Sequence, residues 1–445
     1  MGTILGLLIA LIALAIYIWR PHILFIFWMV TIPLLCPLLC LLGGIYDADG
    51  TNDFLYRISG FFAYAFILII LFRYGKNKQK ILRAKKLLSS LAILCAFFLF
   101  HNIITFFSLQ SIYINIKGAV YILLPMFVMM IDERTRPKRI QLYYVALFIL
   151  VVETIFVFLN YSGVRTYAGW YQAILEFPEG ANLATGTYFG SPRLADSIAT
   201  LFCFFCVDFF SKRKIPVWQF LLICVMCGVC LLGAGNRMPI AASVIVFCLS
   251  VFLYGKQYKA LLIAVLLVGY GGLTWLGSYQ GGELTDNDGI NRVVEGLTSF
   301  TQAKKDKDED HSTVRLSEKL IDEYFMRAPV FGNGRASLGE NAYPIADSVS
   351  DVTDFRADAH LAFMLVEYGI VGLGLYFLLF ANVFKYLRRR VPDEGKKVSI
   401  IIMVFFTLLA ITSGGIWDQN LFPYIYLYFF SMMGINGYPK ICQNR

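Results

Sequence analysis

The chain has 445 residues, 58% of them hydrophobic and only 16% charged, with a mean hydropathy of +0.65. So little polar surface cannot cover a water-soluble globule, and the composition is that of a polytopic membrane protein. The net charge of +9 would suit nucleic acid, but its Lys and Arg crowd the short loops between apolar runs where membrane topology puts them, which removes nucleic acid as a partner.

The first apolar run, 3–19, has no positive segment ahead of it and no small-residue cleavage site, and Arg20-Pro21-His22 follows it. It reads as an uncleaved span with its N-terminus outside. Further spans are predicted at 23–45, 58–72, 87–107, 115–131, 141–160, 193–210, 217–233, 238–254, 260–277, 361–381, 399–416 and 421–437. That makes about 13 helices (12–14), at roughly 17–25 residues per span. The basic connections 73–86, 134–139, 212–214, 256–259 and 385–397 fall at every second loop, which assigns them and the tail ending in Arg445 to the cytoplasm. The fold class is all-α. A bundle of ten helices over 1–277 is followed by a large exterior loop over 278–360, then by three helices and a tail over 361–445.

Cysteine usage agrees with this layout. Nine of the ten cysteines fall in predicted spans and Cys442 in the tail, so none is placed for an exterior disulfide. The spacings Cys203-x-x-Cys206 and Cys224-x-x-Cys227-x-x-Cys230 enclose Phe, Ile, Val and Met, and read as small packing residues, not as a metal site.

Exterior positive charge is what the topology does not explain. In 189-FGSPRLADSIAT-200, Ser191 can cap a helix and Pro192 fits its first turn, with Arg193 next and Asp196 one turn on. Either Arg193 pairs locally with Asp196, or it joins the helix amides in an anion site. In 231-LLGAGNRMPIAAS-243, Arg237 follows two glycines in a connection of very few residues; it either snorkels to the interface or faces an anion. Arg315 and Arg335 sit in polar segments of the large loop, on either side of a stretch in which Val314, Leu320, Ile321, Tyr324 and Phe325 predict an amphipathic helix over 313–330. Glycines in 331-FGNGRASLG-339 end it.

The chain has four histidines, and one of them, His360, stands where polar loop passes into an apolar run, close to Asp358. Glu367 follows two turns later, on the same helical face and about 10 Å deeper. An interfacial histidine can take a proton from a hydroxyl, and an intramembrane glutamate is costly enough to need a partner or a role.

Four stretches now combine: 187-TYFGSPRLADSIA-199, 232-LGAGNRMPIAAS-243, 314-VRLSEKLIDEYFMRAPVFGNGRAS-337 and 358-DAHLAFMLVEYGIVGLGLYF-377. In this order they resemble the O-antigen ligase and O-antigen polymerase superfamily of bacterial envelope glycosyltransferases. The resemblance covers the C-terminal half; the first half matches only as apolar spans. It implies a GT-C-like membrane architecture in the bacterial inner membrane, with the active site facing the periplasm. It also implies transfer of a glycan from an undecaprenyl-pyrophosphate-linked oligosaccharide donor to a glycan acceptor hydroxyl, with inversion and with neither metal nor cofactor. In that chemistry Arg193, Arg237 and Arg315 would bind the pyrophosphate and His360 would activate the hydroxyl, with Asp196, Arg335, Asp358 and Glu367 in support. A chain-length regulator would be a further partner beside the membrane lipids. This chain has Asn236 where the family often has Ser before the arginine, and Arg193 where it often has Asn.

Polymerase, lipid A-core ligase and protein oligosaccharyltransferase share the donor and differ in the acceptor. Polymerase is favoured because the exterior loop offers no docking subdomain for a protein acceptor. A rival glycosyltransferase would use Asp47, Asp49 and Asp53 of 46-YDADGTND-53, but a solvated connection is the simpler reading of that stretch. A lipid-linked oligosaccharide flippase or exporter would place charges near the midplane, whereas the unexplained cations here cluster at the exterior ends.

Overall fold

The computed structural model describes residues 2–35, 48–82, 84–105, 109–161, 184–187, 191–212, 215–254, 322, 324–334, 360–388 and 393–412. Among these there is no strand. The α-helices are α1 (Gly2–Trp19), α2 (Leu24–Val30), α3 (Ala48–Leu82), α4 (Lys85–Thr105), α5 (Leu109–Ile131), α6 (Arg139–Tyr161), α7 (Ser191–Lys212), α8 (Val217–Ala234), α9 (Arg237–Tyr254), α10 (His360–Arg388) and α11 (Asp393–Thr412). Four helical stretches, Lys85–Thr105, Glu133–Asn160, Val217–Ala234 and Met364–Val383, are long and apolar enough to cross a membrane. With shorter apolar helices beside them, they point to a multi-pass membrane protein.

Most expected spans coincide with a helix, but two differ in kind. The described part of the run 23–45 is the short α2 followed by a π-helical turn over Thr31–Leu35; residues 36–45 lie outside the described residues. Pro33 stands inside that turn, where its missing N–H and its ring oppose an α-helical continuation. The run 58–72 is instead the middle of α3, which spans 35 residues. Hydropathy marks only the apolar part of a helix, so the polar turns at both ends of α3 escaped it. Asp49 and Asp53, expected in an exterior loop, stand on the backbone of α3. Asp47 and the spans 260–277 and 421–437 lie outside the described residues.

The packing joins the helices into one contiguous bundle. α3 packs against α1 and α5, α4 against α5 and α10, α7 against α8, α9 and α11, and α11 against α9 and α10. Within a mostly aliphatic core, Phe25, Trp28, Phe62 and Phe66 form an aromatic cluster, fully buried where α2 meets α3, with Trp28 edge-on to Phe66 at 5.3 Å. Between α7 and α8, Phe209 stacks on Phe220 at 4.2 Å. Cys203, Cys206 and Cys227 are buried free thiols on these two helices, and the buried Cys230 thiol lies 3.5 Å from the Thr154 hydroxyl of α6, as packing residues would be.

Candidate active site

Arg237 opens α9 directly after a two-residue turn. Gly235 adopts the left-handed conformation (φ 68°, ψ 13°) that closes α8, and its N–H donates to the carbonyls of Leu231 and Leu232. The start of α9 is therefore fixed to the end of α8. Arg193 occupies the third position of α7. Just ahead of that helix, the Ala184 N–H donates to the carbonyl of Gly233 in the last turn of α8, at 2.9 Å. The approach to α7 is thereby bound to the end of the bundle where α9 begins.

His360 is the first residue of α10. The direction of that helix follows from α11: Lys397, in the first turns of α11, donates through Nζ to the carbonyl of Leu253 near the end of α9, at 3.0 Å. α11 is thus antiparallel to α9, and the part of α10 that follows Gly369, joined to α11 by residues 389–392, runs from the Arg237 end. Arg193 and Arg237 accordingly occupy the first turns of α7 and α9 at one end, and His360 the first turn of α10. Asp196 and Glu367 are buried in α7 and α10. Arg315, Arg335 and Asp358 lie outside the described residues, and so does the predicted amphipathic helix upstream of Asp322. Tyr324 is buried as that helix would require, but Phe325–Arg327 forms a 3-10 turn.

The Gly-x-Gly segment after that turn does more than end a helix. α10 is broken at Gly369 (φ 65°, ψ −171°), which strips the carbonyls of Val366 and Glu367 and the N–H groups of Ile370 and Val371 of their helical partners. Residues 328–334 supply replacements. Asn333 N–H donates to Val366 O at 2.8 Å and Gly334 N–H to Glu367 O at 2.9 Å, while Pro329 O accepts from Ile370 at 3.0 Å and Val330 O from Val371 at 3.1 Å. The Asn333 side-chain amide adds bonds to Tyr324 O at 2.8 Å and Val366 O at 3.2 Å. A helix broken at membrane depth needs such protein partners, because lipid offers none. Beside the clasp, the Tyr368 hydroxyl donates to Asn115 Oδ1 at 2.8 Å, and the His101 ring stacks on Phe97 at 5.2 Å.

A second fixed point lies behind Arg193. Glu153, on α6, is fully buried. Its Oε2 accepts from the Thr187 N–H at 2.9 Å and its Oε1 accepts from the Thr187 hydroxyl. Gly186 between them has φ 59°, and a Cβ there would run into the Glu153 carboxylate and come within 3.0 Å of Leu194 Cδ1. The sequence singled out Glu367 as an acid inside an apolar run. Glu153 within 141–160 carries the same signal, as His101 does within 87–107, while Asn115 and Tyr368 carry no comparable mark.

The far end of the bundle carries a different cluster. Asp132, following α5, accepts from Tyr17 of α1 at 2.9 Å and from Arg134 Nη2 at 2.7 Å. Arg73 of α3 reaches the Tyr17 hydroxyl at 2.7 Å and Asp132 Oδ2 at 3.5 Å. Burial would raise the Asp132 carboxyl, but the bonds from Arg134 and Tyr17 outweigh it and hold the group at about 2. This cluster ties α1, α3 and α5 together. Among the described residues, no three His, Cys, Asp or Glu side chains converge as metal ligands.

Residues 222–377 match the O-antigen ligase family. The match runs from α8 through the clasp and past the break in α10, and so includes Arg237, Arg315, Arg335, Asp358, His360 and Glu367 but not Arg193 or Asp196. It supports the O-antigen ligase and polymerase superfamily, and with it an O-antigen ligase/polymerase-type function in polysaccharide synthesis. No curated protein matches the chain.

Proposed function

From the O-antigen ligase family match we propose that this chain is a surface-polysaccharide polymerase of the inner membrane, with a GT-C-like architecture and a site facing the periplasm. It transfers a glycan from undecaprenyl pyrophosphate to a sugar hydroxyl of another lipid-linked repeat unit. The observation that supports this reading is that Arg193, Arg237 and His360 each stand in the first turn of a helix, α7, α9 and α10.

The chemistry follows from these residue types. Arg193, Arg237 and Arg315 bind the pyrophosphate, since a guanidinium stays charged at physiological pH and matches phosphate oxygens in pairs. His360 takes the proton of the acceptor hydroxyl as its oxygen attacks the anomeric carbon. The bond from that carbon to the phosphate oxygen breaks on the opposite face, which inverts the configuration. The undecaprenyl pyrophosphate leaves with its negative charge offset by the arginines, the task that a metal ion performs in other transferases. Asp358, Arg335, Asp196 and Glu367 support this arrangement, and Glu367 orients the first half of α10.

The family's own description as O-antigen ligase favours a second reading, with the same donor and lipid A-core as acceptor. Purified protein incubated with lipid-linked oligosaccharide alone, and then with lipid A-core added, separates the two. A ladder of lengthened lipid-linked products from the first mixture supports the polymerase; product formed only in the second identifies a ligase. Turnover in neither mixture would refute both readings.

A further inference from the structure

We propose that Glu153 is a positioning residue for glycan transfer, acting through residues 184–187 to hold the first turns of α7 and α9 at the spacing their arginines require. The inference rests on the reading of Arg193 and Arg237 as pyrophosphate ligands.

Glu153 stands eight residues short of Tyr161, the end of α6, or about 12 Å along the helix. An acid fully buried at such depth is expensive, and an apolar residue of similar volume would pack α6 at less cost. Its expense has a specific return. Both carboxylate oxygens are engaged by Thr187, four residues before α7 begins at Ser191. Gly186 is wedged between that carboxylate and Leu194, the neighbour of Arg193. Ala184 is bonded to Gly233, four residues before Arg237, and the Gly235 cap passes that constraint to α9. One carboxylate on α6 thus anchors a four-residue segment that is bonded through Ala184 to the last turn of α8 and packed through Gly186 against Leu194 of α7. Two cations that must grip one pyrophosphate need a fixed separation, and a misplacement of about 1 Å can cost on the order of 10²-fold.

The test uses the full-length protein in nanodiscs, with donor and acceptor concentrations varied separately and binding of undecaprenyl pyrophosphate measured on the same preparations. Glu153→Gln and Thr187→Val are expected to raise the donor KM on the order of tenfold or more, with acceptor KM unchanged, and Thr187→Ser to recover most of the loss. Thr187→Val removes only the hydroxyl and keeps the backbone bond, so it decides the matter if Glu153→Gln fails to accumulate. Variants that lose thermal stability but keep the parent's donor KM would make Glu153 a scaffold residue and overturn the inference. If Arg193→Ala and Arg237→Ala bind undecaprenyl pyrophosphate as the parent does, the functional reading fails and the inference with it. If the arginine variants lose binding while folded Glu153→Gln and Thr187→Val do not, the inference alone fails.

Discussion

A Cβ placed on Gly332 would lie 2.5 Å from the backbone nitrogen of Gly369, and one placed on Gly369 would lie 2.6 Å from the backbone nitrogen of Gly332. Each glycine is the steric limit of the other, and each has a positive φ. Gly369→Ala and Gly332→Ala should therefore both destabilise the protein, by about 1–3 kcal/mol for a positive-φ backbone that a side chain disfavours and by whatever shift the clash forces. Gly374→Ala, in the same helix with nothing within 4 Å, should instead be neutral or stabilising, since alanine is favoured in a helix by about 0.8–1 kcal/mol. Thermal unfolding in detergent checks the contrast; equal melting temperatures for all three variants would contradict the clasp.

Arg237→Ala should abolish product formation at normal membrane abundance, and Arg237→Lys should recover it only poorly. Lysine keeps the charge and loses the paired donors. Full activity of Arg237→Lys in the transfer assay would reduce the site to simple charge steering, and full activity of Arg237→Ala would remove the residue from the mechanism.

His360→Ala should lower transfer on the order of 10²–10⁴-fold, as expected for loss of a positioned base, while donor binding stays close to that of the parent. Turnover within a few fold of the parent would exclude the base assignment and make Asp358 the next candidate. Glu367→Gln should be milder than Glu367→Leu, because the amide keeps hydrogen-bonding capacity in the first half of α10.

The cluster at the far end gives a prediction about stability alone. The Asp132 carboxyl is held at about 2, below the value of about 3.9 for an unfolded aspartate. A depressed carboxyl contributes stability that is fully present above the unfolded value and is lost as pH falls through the folded one. Between about pH 4 and 2 the parent should lose a component of stability that Asp132→Asn lacks at every pH. Melting curves of both proteins across that window test this. Transfer at matched abundance should not change, since Asp132 lies at the opposite end of the bundle from Arg237.

Orientation is tested by reporter fusions. Alkaline phosphatase joined near Lys305 should be active and near Arg389 inactive. The reverse pattern would turn the proposed active face toward the cytoplasm.

The sequence carried the helices because burial in lipid writes hydropathy directly into a run of residues. It carried the helix starts at Ser191, Arg237 and His360 because Ser-Pro, Gly-Asn and polar-to-apolar boundaries are local signals. The pairing of Gly332 with Gly369 was not legible: a glycine announces freedom of backbone, but not the strand of chain that comes to lie against it. The break in α10 was hidden for the same reason, since 361–381 is apolar but for Glu367 and hydropathy does not register a missing hydrogen bond. Glu153 was legible in principle by the rule that drew attention to Glu367. What no local pattern could reveal was its partner, because Thr187 reaches it across the intervening residues.

The clasp on α10 also fixes the two feet of the segment 335–359. One foot is Gly334, bonded to Glu367, and the other is His360, at the head of the same half-helix. The bonds of the first foot run through main-chain groups, so they make no demand on the side chains in between. Lengthening a flexible chain between two pinned ends costs only about 0.6 kcal/mol for each doubling. Residues added between Arg335 and Asp358, beside the proposed base, therefore cost the helices little, which makes that stretch the part of the chain where a preference for one sugar over another can diverge most cheaply.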